Sequence, residues 1–467
     1  MFVLKSYEVK MVSHPLIMMG IISCSEEETD IFQDQQTSRH TTVVKTVIPT
    51  GDEAYPNLKS DYIFNQEELY TYELILPPDH LEELDRDPAA EVYVEGALIF
   101  QGDTISPVGI RYKGSVGGFV GCVSGSDWAN QSGYKTCTKL SMKVKINWEG
   151  RDEKFYGLKK LQFHSQNLDD SQMRDRLGYW LFREMGVKAP RAVHSKLIIN
   201  GKYRGLYALV EQIDSRMTRY NWDDGKGNLY KEIWPLRDDG AAHSDQSYKS
   251  ALKTNENDDP SVSIMKDFAQ SIIAAEDDEA LKDVIRESMN LANIISYCVV
   301  DRTIRHDDGP FHWYCNGSSC TSHNFYWYEE PKNEKLHLIP WDLDNAFENI
   351  IVSSNPVTPI ADKWGERRAD CKPFGHGLFG LRQKSAACDK LTAGWASFEK
   401  EYEAAKQQFI QGPFSDAQVK QKLNEWSDQI KEATSEAAEK NADAIKIPQW
   451  EAAMESLLRQ VSFENGI

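Results

Sequence analysis

The sequence is short of two features that would each define a class of protein. It contains no uninterrupted apolar run of about 18 residues, which excludes a transmembrane helix. It has too little positive charge for a nonspecific nucleic-acid-binding protein, because 72 acidic residues outnumber 53 Lys and Arg and give a formal charge of −19. Its 467 residues are 40% hydrophobic and 11% aromatic, which predicts a folded protein of two or three domains of ~150 residues each.

The eight cysteines contain no CxxC pair, so a zinc site is weakly supported. Six of them lie in three local pairs flanked by Gly, Ser or Asp, and we expect the disulfides Cys122–Cys137, Cys315–Cys320 and Cys371–Cys388. Six cysteines allow many connectivities, so this pairing is a hypothesis. Cys298 lies in an apolar helical stretch and is predicted to be a buried free thiol.

The first 24 residues resemble a bacterial lipoprotein signal. Lys5 and Lys10 precede an apolar stretch at residues 15–22, which is too short to span a bilayer. The stretch runs into IISC, which resembles a lipoprotein cleavage box, so we expect Cys24 to become a lipidated N-terminus. The alternative is a buried N-terminal helix. The acidic run at residues 25–30 is more typical of a solvated tether.

Composition divides the chain into a signal at 1–24, an acidic and polar tether at 25–60 and one folded domain at 61–467. Strands are predicted at residues 70–76, 91–100, 108–112, 140–146, 195–199, 203–210, 325–328 and 336–339, and helices at 169–186, 260–305 and 394–462. Asp170 or Ser171 is expected to cap the first of these helices. The order predicts an α+β fold with a β-rich lobe at about 61–214 and an α-rich lobe at about 215–467.

Polar residues between positions 305 and 347 have the composition of a phosphoryl-transfer site. Such a site needs a carboxylate that orients or deprotonates the acceptor hydroxyl, and hard oxygen ligands for Mg²⁺. Asp307 or Asp308, then Asn324, a hairpin and Asp342 follow the order found in protein kinases. Alternatively, these residues only form turns and cap strands. Asp342 and Asp344 lie between apolar runs, where an unpaired carboxylate is costly, and this favours the functional interpretation.

The N-terminal half offers groups that could bind phosphate. Arg111 and Lys113 end a strand that runs into a glycine-rich turn, whose backbone N–H groups can approach phosphates. Lys143 or Lys145 lies on the polar face of the next strand, where kinases place a phosphate-binding lysine. The alternative is a solvent-facing row of lysines.

Two further segments are candidates for nucleotide contact. Glu211 begins residues 211–214, which could act as a hinge that pairs with adenine through its backbone. Lys231 ends residues 227–231, a second candidate for phosphate or substrate contact.

Seven motifs occur in the order expected for one family. They are RYKGS (111–115), KLSMKVKIN (139–147), MRDRLGYWLFREMGVKAPRA (173–192), NGKYRGLYALVEQID (200–214), GNLYK (227–231), HNFYWY (323–328) and IPWDLDNAF (339–347). Through these motifs the chain resembles the CotH kinase family, the spore-coat protein H-like proteins, over residues 70–347. The resemblance implies a divergent, two-lobed protein-kinase-like fold that uses ATP and Mg²⁺ or Mn²⁺.

The resemblance also implies roles for individual residues. Asp342 and Asn324 are expected to bind metal, with Asp344 as a further candidate. Asp308 is the expected catalytic acid because it precedes Gly309. Asp307 remains an alternative, because the cysteine-bracketed insert lengthens this loop. No glutamate that would pair with the strand lysine is evident in the helix.

Two functions from different classes follow from these patterns. The first is an exported atypical protein kinase, anchored to a membrane only through its lipidated N-terminus, that phosphorylates Ser or Thr of secreted or surface proteins and binds no nucleic acid. The second is a non-catalytic surface binding or adhesion protein on a kinase-like scaffold, because a fold does not fix a function. A metal-dependent hydrolase that uses the same acids is a third possibility. A usable nucleotide pocket distinguishes the three.

Overall fold

A computed structural model of the chain describes residues 59–114, 118–119, 121–127, 130–306, 308–317, 319–347, 370–375 and 382–464. The expected signal and almost all of the expected tether, including Cys24, lie outside these residues, as does Asp307. Within the described residues, no helix combines the length and the apolar character needed to cross a membrane.

Seven strands of the N-terminal part close into a barrel in the order β1-β2-β3-β4-β5-β7-β6. They are β1 (Tyr70–Ile75), β2 (Val94–Phe100), β3 (Asp103–Tyr112), β4 (Met142–Lys145), β5 (Lys160–His164), β6 (Ala192–Ile199) and β7 (Lys202–Val210). Neighbours pair antiparallel except β1 and β6, whose parallel pairing closes the barrel. The predicted alternation in β4 is confirmed, because Met142 and Val144 are fully buried while Lys143 is half-buried on the other face.

Three helices accompany the barrel: α1 (Ser60–Ile63), α2 (Pro78–Arg86) and α3 (Arg174–Glu184). Helix α3 is shorter than predicted, and the expected caps are wrong. Its N-cap position is Met173, which makes no side-chain capping hydrogen bond. The Asp169 carboxylate instead accepts the backbone N–H groups of Ser171 and Arg174, which forms a separate turn before the helix.

The remaining elements are short strands and helices, with most of the strands between two runs of helices. They are α4 (Ser215–Asn221), β8 (Leu229–Lys231), α5 (Asp245–Ser250), α6 (Ser263–Ala274), α7 (Asp278–Ser288), α8 (Leu291–Thr303), β9 (Trp313–Asn316), β10 (Ser319–Thr321), β11 (Phe325–Glu330), β12 (Lys335–Pro340), β13 (Phe374–Gly375), β14 (Arg382–Lys384), α9 (Lys390–Ala396), α10 (Glu399–Gln411), α11 (Asp416–Lys440) and α12 (Ile447–Glu464). Strands β12-β11-β8 form one sheet and β10-β9-β14-β13 another. The α+β class is therefore confirmed.

Two groups of buried apolar residues hold these elements together. One fills the barrel interior, with Tyr72, Leu98 and Phe163 at its centre. The other extends from α3 through α8 and β11 to the C-terminal helices and includes Trp327 and Trp395. Burial on this scale is the main stabilising contribution to the fold.

The cysteines pair as expected. The disulfides are Cys122–Cys137, Cys315–Cys320 and Cys371–Cys388. Cys298 is a free, fully buried thiol within α8. Three disulfides are typical of a protein that folds in an oxidising compartment.

Candidate active site

The end of β3 leads into the glycine-rich segment. Lys113 follows β3 directly, and its backbone N–H donates to the Ser141 carbonyl at 2.8 Å. The N–H of Gly114 donates to Glu91 Oε1 at 2.8 Å. A Cβ at Gly114 would lie 2.5 Å from the Phe119 ring, so this position favours glycine. Residues 115–117 of the turn lie outside the described residues.

Basic side chains gather on the outer face of β3 and β4. The register places Arg111 opposite Lys143. Burial, together with the charges of Lys113, Arg111 and Lys160, lowers the pKa of Lys143 to about 7. The nearest carboxylate belongs to Glu91 and is taken by Arg111, because Glu91 Oε2 lies 2.6 Å from Arg111 Nη1. Lys143 is therefore a cation with too few counter-charges in the free protein.

Lys145, the other strand lysine considered, lies two positions further along β4. Its Nζ lies over the Trp148 ring, 5.7 Å from the centroid, and the register places it opposite Gly109 and Lys160. Lys143 is therefore the better placed of the two for contact with Lys113 and Arg111.

Acidic side chains gather on the other side of the site, after β12. Asp342 adopts a left-handed backbone conformation with φ 59°. Its N–H donates to the Tyr179 hydroxyl at 3.0 Å, and its carbonyl accepts from His306 Nε2 at 2.9 Å. His306 Nδ1 also lies 3.1 Å from Asp301 Oδ2, and both side chains are almost fully buried. These bonds fix the Asp342 backbone in an unusual conformation.

The charge of His306 follows from this arrangement. Burial disfavours its protonated form, but the hydrogen bond to Asp301 and the Asp301 charge outweigh burial and raise the pKa of His306. A protonated His306 can donate from both ring nitrogens, one to Asp301 and one to Asp342. A charge-assisted bond therefore anchors the backbone of the expected metal ligand.

Asp308 and Asn324 lie beside Asp342. Asn324 Nδ2 donates to Asp308 Oδ2 at 2.9 Å, and the Asn324 carbonyl accepts the Trp341 N–H at 3.1 Å. Burial and the Asp342 charge raise the pKa of Asp308 to about 6, against the opposing effect of His323 and His306. The structure thus brings together three residues that are far apart in the sequence.

Asp344 lies next to this group, on the short 3₁₀ turn after Asp342. Burial, followed by the charges of Asp342, Asp175 and Asp169, raises the pKa of Asp344 well above its ordinary value. Carboxylates that oppose one another's ionisation in this way are relieved by a bound cation.

The donor set is suited to Mg²⁺ rather than to zinc. Across the described residues, no three His, Cys, Asp or Glu side chains are grouped as ligands for a metal ion. Mg²⁺ is usually held by one or two carboxylates together with substrate phosphates and water. Asp342 with Asn324 or Asp344 fits that requirement.

Lys113 connects the basic and acidic groups. Its Nζ lies within hydrogen-bond distance of His164 Nε2, at 2.8 Å, and 5.2 Å from the centroid of the Trp341 ring. Burial lowers the pKa of Lys113, and the charges of Asp342 and Asp175 oppose that effect. Lys113 thus interacts electrostatically with Asp342 on the acidic side of the site.

His164 and Asp175 are functional candidates that sequence reasoning missed. His164 Nδ1 lies 3.1 Å from Asp175 Oδ2, so the histidine links Lys113 of β3 to helix α3. The one signal in the sequence is that β5 alternates polar Gln162 and His164 with apolar residues, although both faces are buried. A buried polar residue needs a partner, but the sequence does not say which one.

The remaining predicted contacts are only partly available. The Glu211 N–H donates to the Arg191 carbonyl at 2.8 Å, and its carboxylate oxygens accept from Arg191 at 2.5 and 3.0 Å. Glu211 therefore binds Arg191 through its N–H and its carboxylate, and a backbone contact of residues 211–214 with adenine stays a prediction. Lys231 Nζ lies 3.4 Å from Glu232 Oε1 and contributes positive charge near Lys113.

The chain is similar in sequence to known proteins. The model of the family described as CotH kinase protein matches residues 110–462. The chain belongs to the CotH kinase protein family. It is also similar to the inner spore coat protein H of Bacillus subtilis (strain 168), with 22% identity over 287 residues, which are 60% of this chain and 69% of that protein.

Proposed function

We propose that the chain is an exported, atypical protein kinase that transfers the γ-phosphate of ATP to Ser or Thr of secreted or surface proteins. One observation carries the proposal: Lys113 interacts electrostatically both with Lys143, whose pKa neighbouring cations help to lower, and with Asp342, which helps to raise the pKa of Asp344. A nucleotide phosphate chain with a divalent cation neutralises both sets of charges at once. A hydrolase that acts on uncharged substrates would not need the cationic side chains at β3 and β4.

The proposed fold is a divergent, two-lobed kinase-like fold. The order of a β-barrel followed by an α-rich part supports it, as do the two separate groups of buried apolar residues. In this proposal, the domain covers residues 61–467, and the phosphates bind between the end of β3 and the segment after β12.

Lys113, Lys143 and Arg111 are proposed to hold the phosphates, with Lys231 at the edge of the same positive region. Bound Mg²⁺ or Mn²⁺ would supply charge neutralisation at the transferred phosphate, held by Asp342 with Asn324 or Asp344. The chain contributes fixed geometry here, because His306 and Tyr179 hold the Asp342 backbone.

Asp308 is proposed to accept or orient the proton of the substrate hydroxyl. Asn324 Nδ2 occupies one of its carboxylate oxygens and leaves the other for the acceptor. A pKa of about 6 leaves Asp308 mostly ionised at neutral pH and able to take up a proton during transfer.

The proposed location is outside the cytoplasm. Three disulfides support export, and the similar Bacillus protein is named as an inner spore coat protein. We propose a lipid anchor at Cys24 and a secreted or surface protein as substrate, with no nucleic-acid partner.

The test is nucleotide-dependent thermal unfolding of the purified, oxidised chain with MgCl₂ or MnCl₂ and ATP. A ligand at 100 times its Kd stabilises the folded state by about 2.7 kcal/mol. We expect the rise in Tm on nucleotide addition to disappear in Asp342→Asn, because Asn tolerates the left-handed backbone and the fold is kept. The rise should persist in the matched control Asp103→Asn, on the exposed β2–β3 turn.

Transfer of radiolabel from [γ-³²P]ATP to the chain or to added proteins then establishes the kinase. Binding without transfer, or no binding with any nucleotide and metal, would refute it and favour a non-catalytic binding scaffold. Phosphate release without labelling of any protein would favour a hydrolase.

A further inference from the structure

We propose that His164 and Asp175 position Lys113 as the phosphate-binding lysine. Lys113 Nζ lies 2.8 Å from His164 Nε2, and His164 Nδ1 lies 3.1 Å from Asp175 Oδ2 on helix α3. In protein kinases a helix glutamate pairs directly with the strand lysine. Here a histidine stands between the lysine and the helix carboxylate. The phosphate contact of Lys113 rests on the proposed function, whereas the positioning of Lys113 by His164 and Asp175 does not.

The hydrogen-bond directions define the tautomer of His164. When Lys113 is protonated it can only donate, so His164 Nε2 then accepts. The hydrogen then resides on Nδ1 and is donated to Asp175 Oδ2. Asp175 therefore sets the ring in the tautomer that can hold Lys113. Without Asp175, the Nε2–H tautomer becomes accessible and would repel the ammonium group.

Lys113 differs from Lys143 in this respect. The residue opposite Lys143 on β5 is Gln162, which provides no charge, and its closest acidic influence is Glu91. Lys113 has a hydrogen-bond partner in His164 and the charges of three carboxylates acting on it, Asp342, Asp175 and Glu91. Lys113 is therefore the lysine whose orientation is fixed by its neighbours.

Helix α3 is itself held rigidly beside Asp175. The next residue, Arg176, is almost fully buried and donates to Gln66 Oε1 at 3.0 Å and to Gln429 Oε1 at 2.7 Å. Its guanidinium lies 4.5 Å from the centroid of the Trp426 ring. Asp175 thus sits on a helix that is fixed to two distant parts of the chain, as a positioning residue requires.

The first test separates phosphate contact from general damage. Calorimetry would compare the Kd of ADP and of adenosine for the wild-type chain, His164→Leu and His164→Gln. Because Lys113 can contact only phosphate, we expect His164→Leu to weaken ADP about tenfold, the equivalent of one charge-assisted hydrogen bond, and to leave adenosine unchanged. Gln can accept from Lys113 and donate to Asp175, so His164→Gln should stay within about threefold of wild type.

An equal loss for ADP and adenosine, or no loss in His164→Leu, would overturn the proposal. If the wild-type chain binds no nucleotide, the proposed kinase function fails and the positioning role is decided by the second test alone.

The second test needs no nucleotide. Long-range ¹⁵N–¹H spectra of ¹⁵N-histidine-labelled chain at pH 8 report each ring's tautomer, and His164→Gln assigns the signal. We expect the Nδ1–H tautomer in the wild type and a shift toward Nε2–H in Asp175→Leu, with the other histidine signals unchanged as the folding control. An Nε2–H tautomer in the wild-type chain would refute the arrangement even if Asp175→Leu does not fold.

Discussion

Substituting Asp308 by Asn should have opposite effects on activity and on stability. Asp308 is proposed to accept the hydroxyl proton, and loss of a general base typically lowers the rate about 10²- to 10⁴-fold. The same carboxylate is unfavourable to the free fold, because burial and Asp342 raise its pKa to about 6. The amide that replaces it in Asp308→Asn is neutral, similar in shape and still able to accept from Asn324 Nδ2.

The size of the gain follows from the pKa shift. A rise from 3.8 to about 6 is roughly two pH units, which corresponds to about 3 kcal/mol at 1.36 kcal/mol per unit. The cost is absent below the unfolded pKa near 4, grows between pH 4 and 6, and is complete above pH 6. With about 2.1 cal/mol/K of unfolding entropy per residue over ~400 residues, 3 kcal/mol equals about 3–4 °C in Tm.

The assay is thermal unfolding without metal from pH 4 to pH 8, for wild type, Asp308→Asn and the control Asp103→Asn. We expect the Asp308 variant to melt above wild type at pH 7.5, by up to about 4 °C, and at the same temperature near pH 4. In the wild type, kcat/KM should fall about tenfold per pH unit below pH 6. A variant that is less stable at neutral pH, or a difference that does not change with pH, would refute the electrostatic reasoning.

Three further predictions concern the surroundings of this site. Lys143→Met should raise the free energy of unfolding at and below pH 7, where the wild-type lysine is protonated at a cost, and should weaken ATP binding about tenfold. Unfolding curves measure the first effect and calorimetry the second. A destabilised variant would contradict the low pKa of Lys143. Asp301→Asn should destabilise the fold by about 3 kcal/mol, because it leaves His306 without its buried counter-charge. Urea unfolding that does not change would contradict the pairing of His306 with Asp301. Replacing Cys122 and Cys137 together by Ser should cost about 3 kcal/mol for a 15-residue loop, measured against the oxidised wild type. Once all three disulfides are reduced, the variant and the wild type should have the same stability.

Local patterns in the sequence predicted the elements that depend on near neighbours. The alternation of residues 140–146 indicated β4 and its buried face, since strand periodicity is a local property. Asn200 and Gly201 both adopt left-handed φ, 49° and 72°, as a tight β6–β7 hairpin requires. The three disulfides also join near neighbours, so sequence proximity was a sufficient guide.

Contacts between distant segments could not be read from the sequence. Closure of the barrel depends on parallel pairing of Tyr70 with Ser195, across more than 120 residues. The sequence did not indicate that Arg191 occupies both the carboxylate and the N–H group of Glu211, at the start of the predicted hinge. The sequence alone does not distinguish a turn residue from a buried ion-pair partner, because only the fold decides which groups become neighbours.

The insert between Asp308 and Asn324 shows why chain spacing misleads in this site. Its length left the choice between Asp307 and Asp308 open. The insert contains an antiparallel hairpin, β9–β10, closed by Cys315–Cys320, and a hairpin returns the chain close to its starting point. The hydrogen bond of 2.9 Å between Asn324 and Asp308 is therefore unaffected by the added length.

The electrostatics of the site distinguish it from an ordinary protein surface. A scaffold selected only for stability has no reason to bury Lys143 among cations and Asp308 beside Asp342, since neutral residues at these positions would fold better. Strained electrostatics of this kind concentrate at functional sites. A ligand that carries both negative charge, for Lys143 and its neighbours, and positive charge, for Asp308 and Asp342, would relieve both sets of shifts, and this supports the proposal of a metal–nucleotide complex.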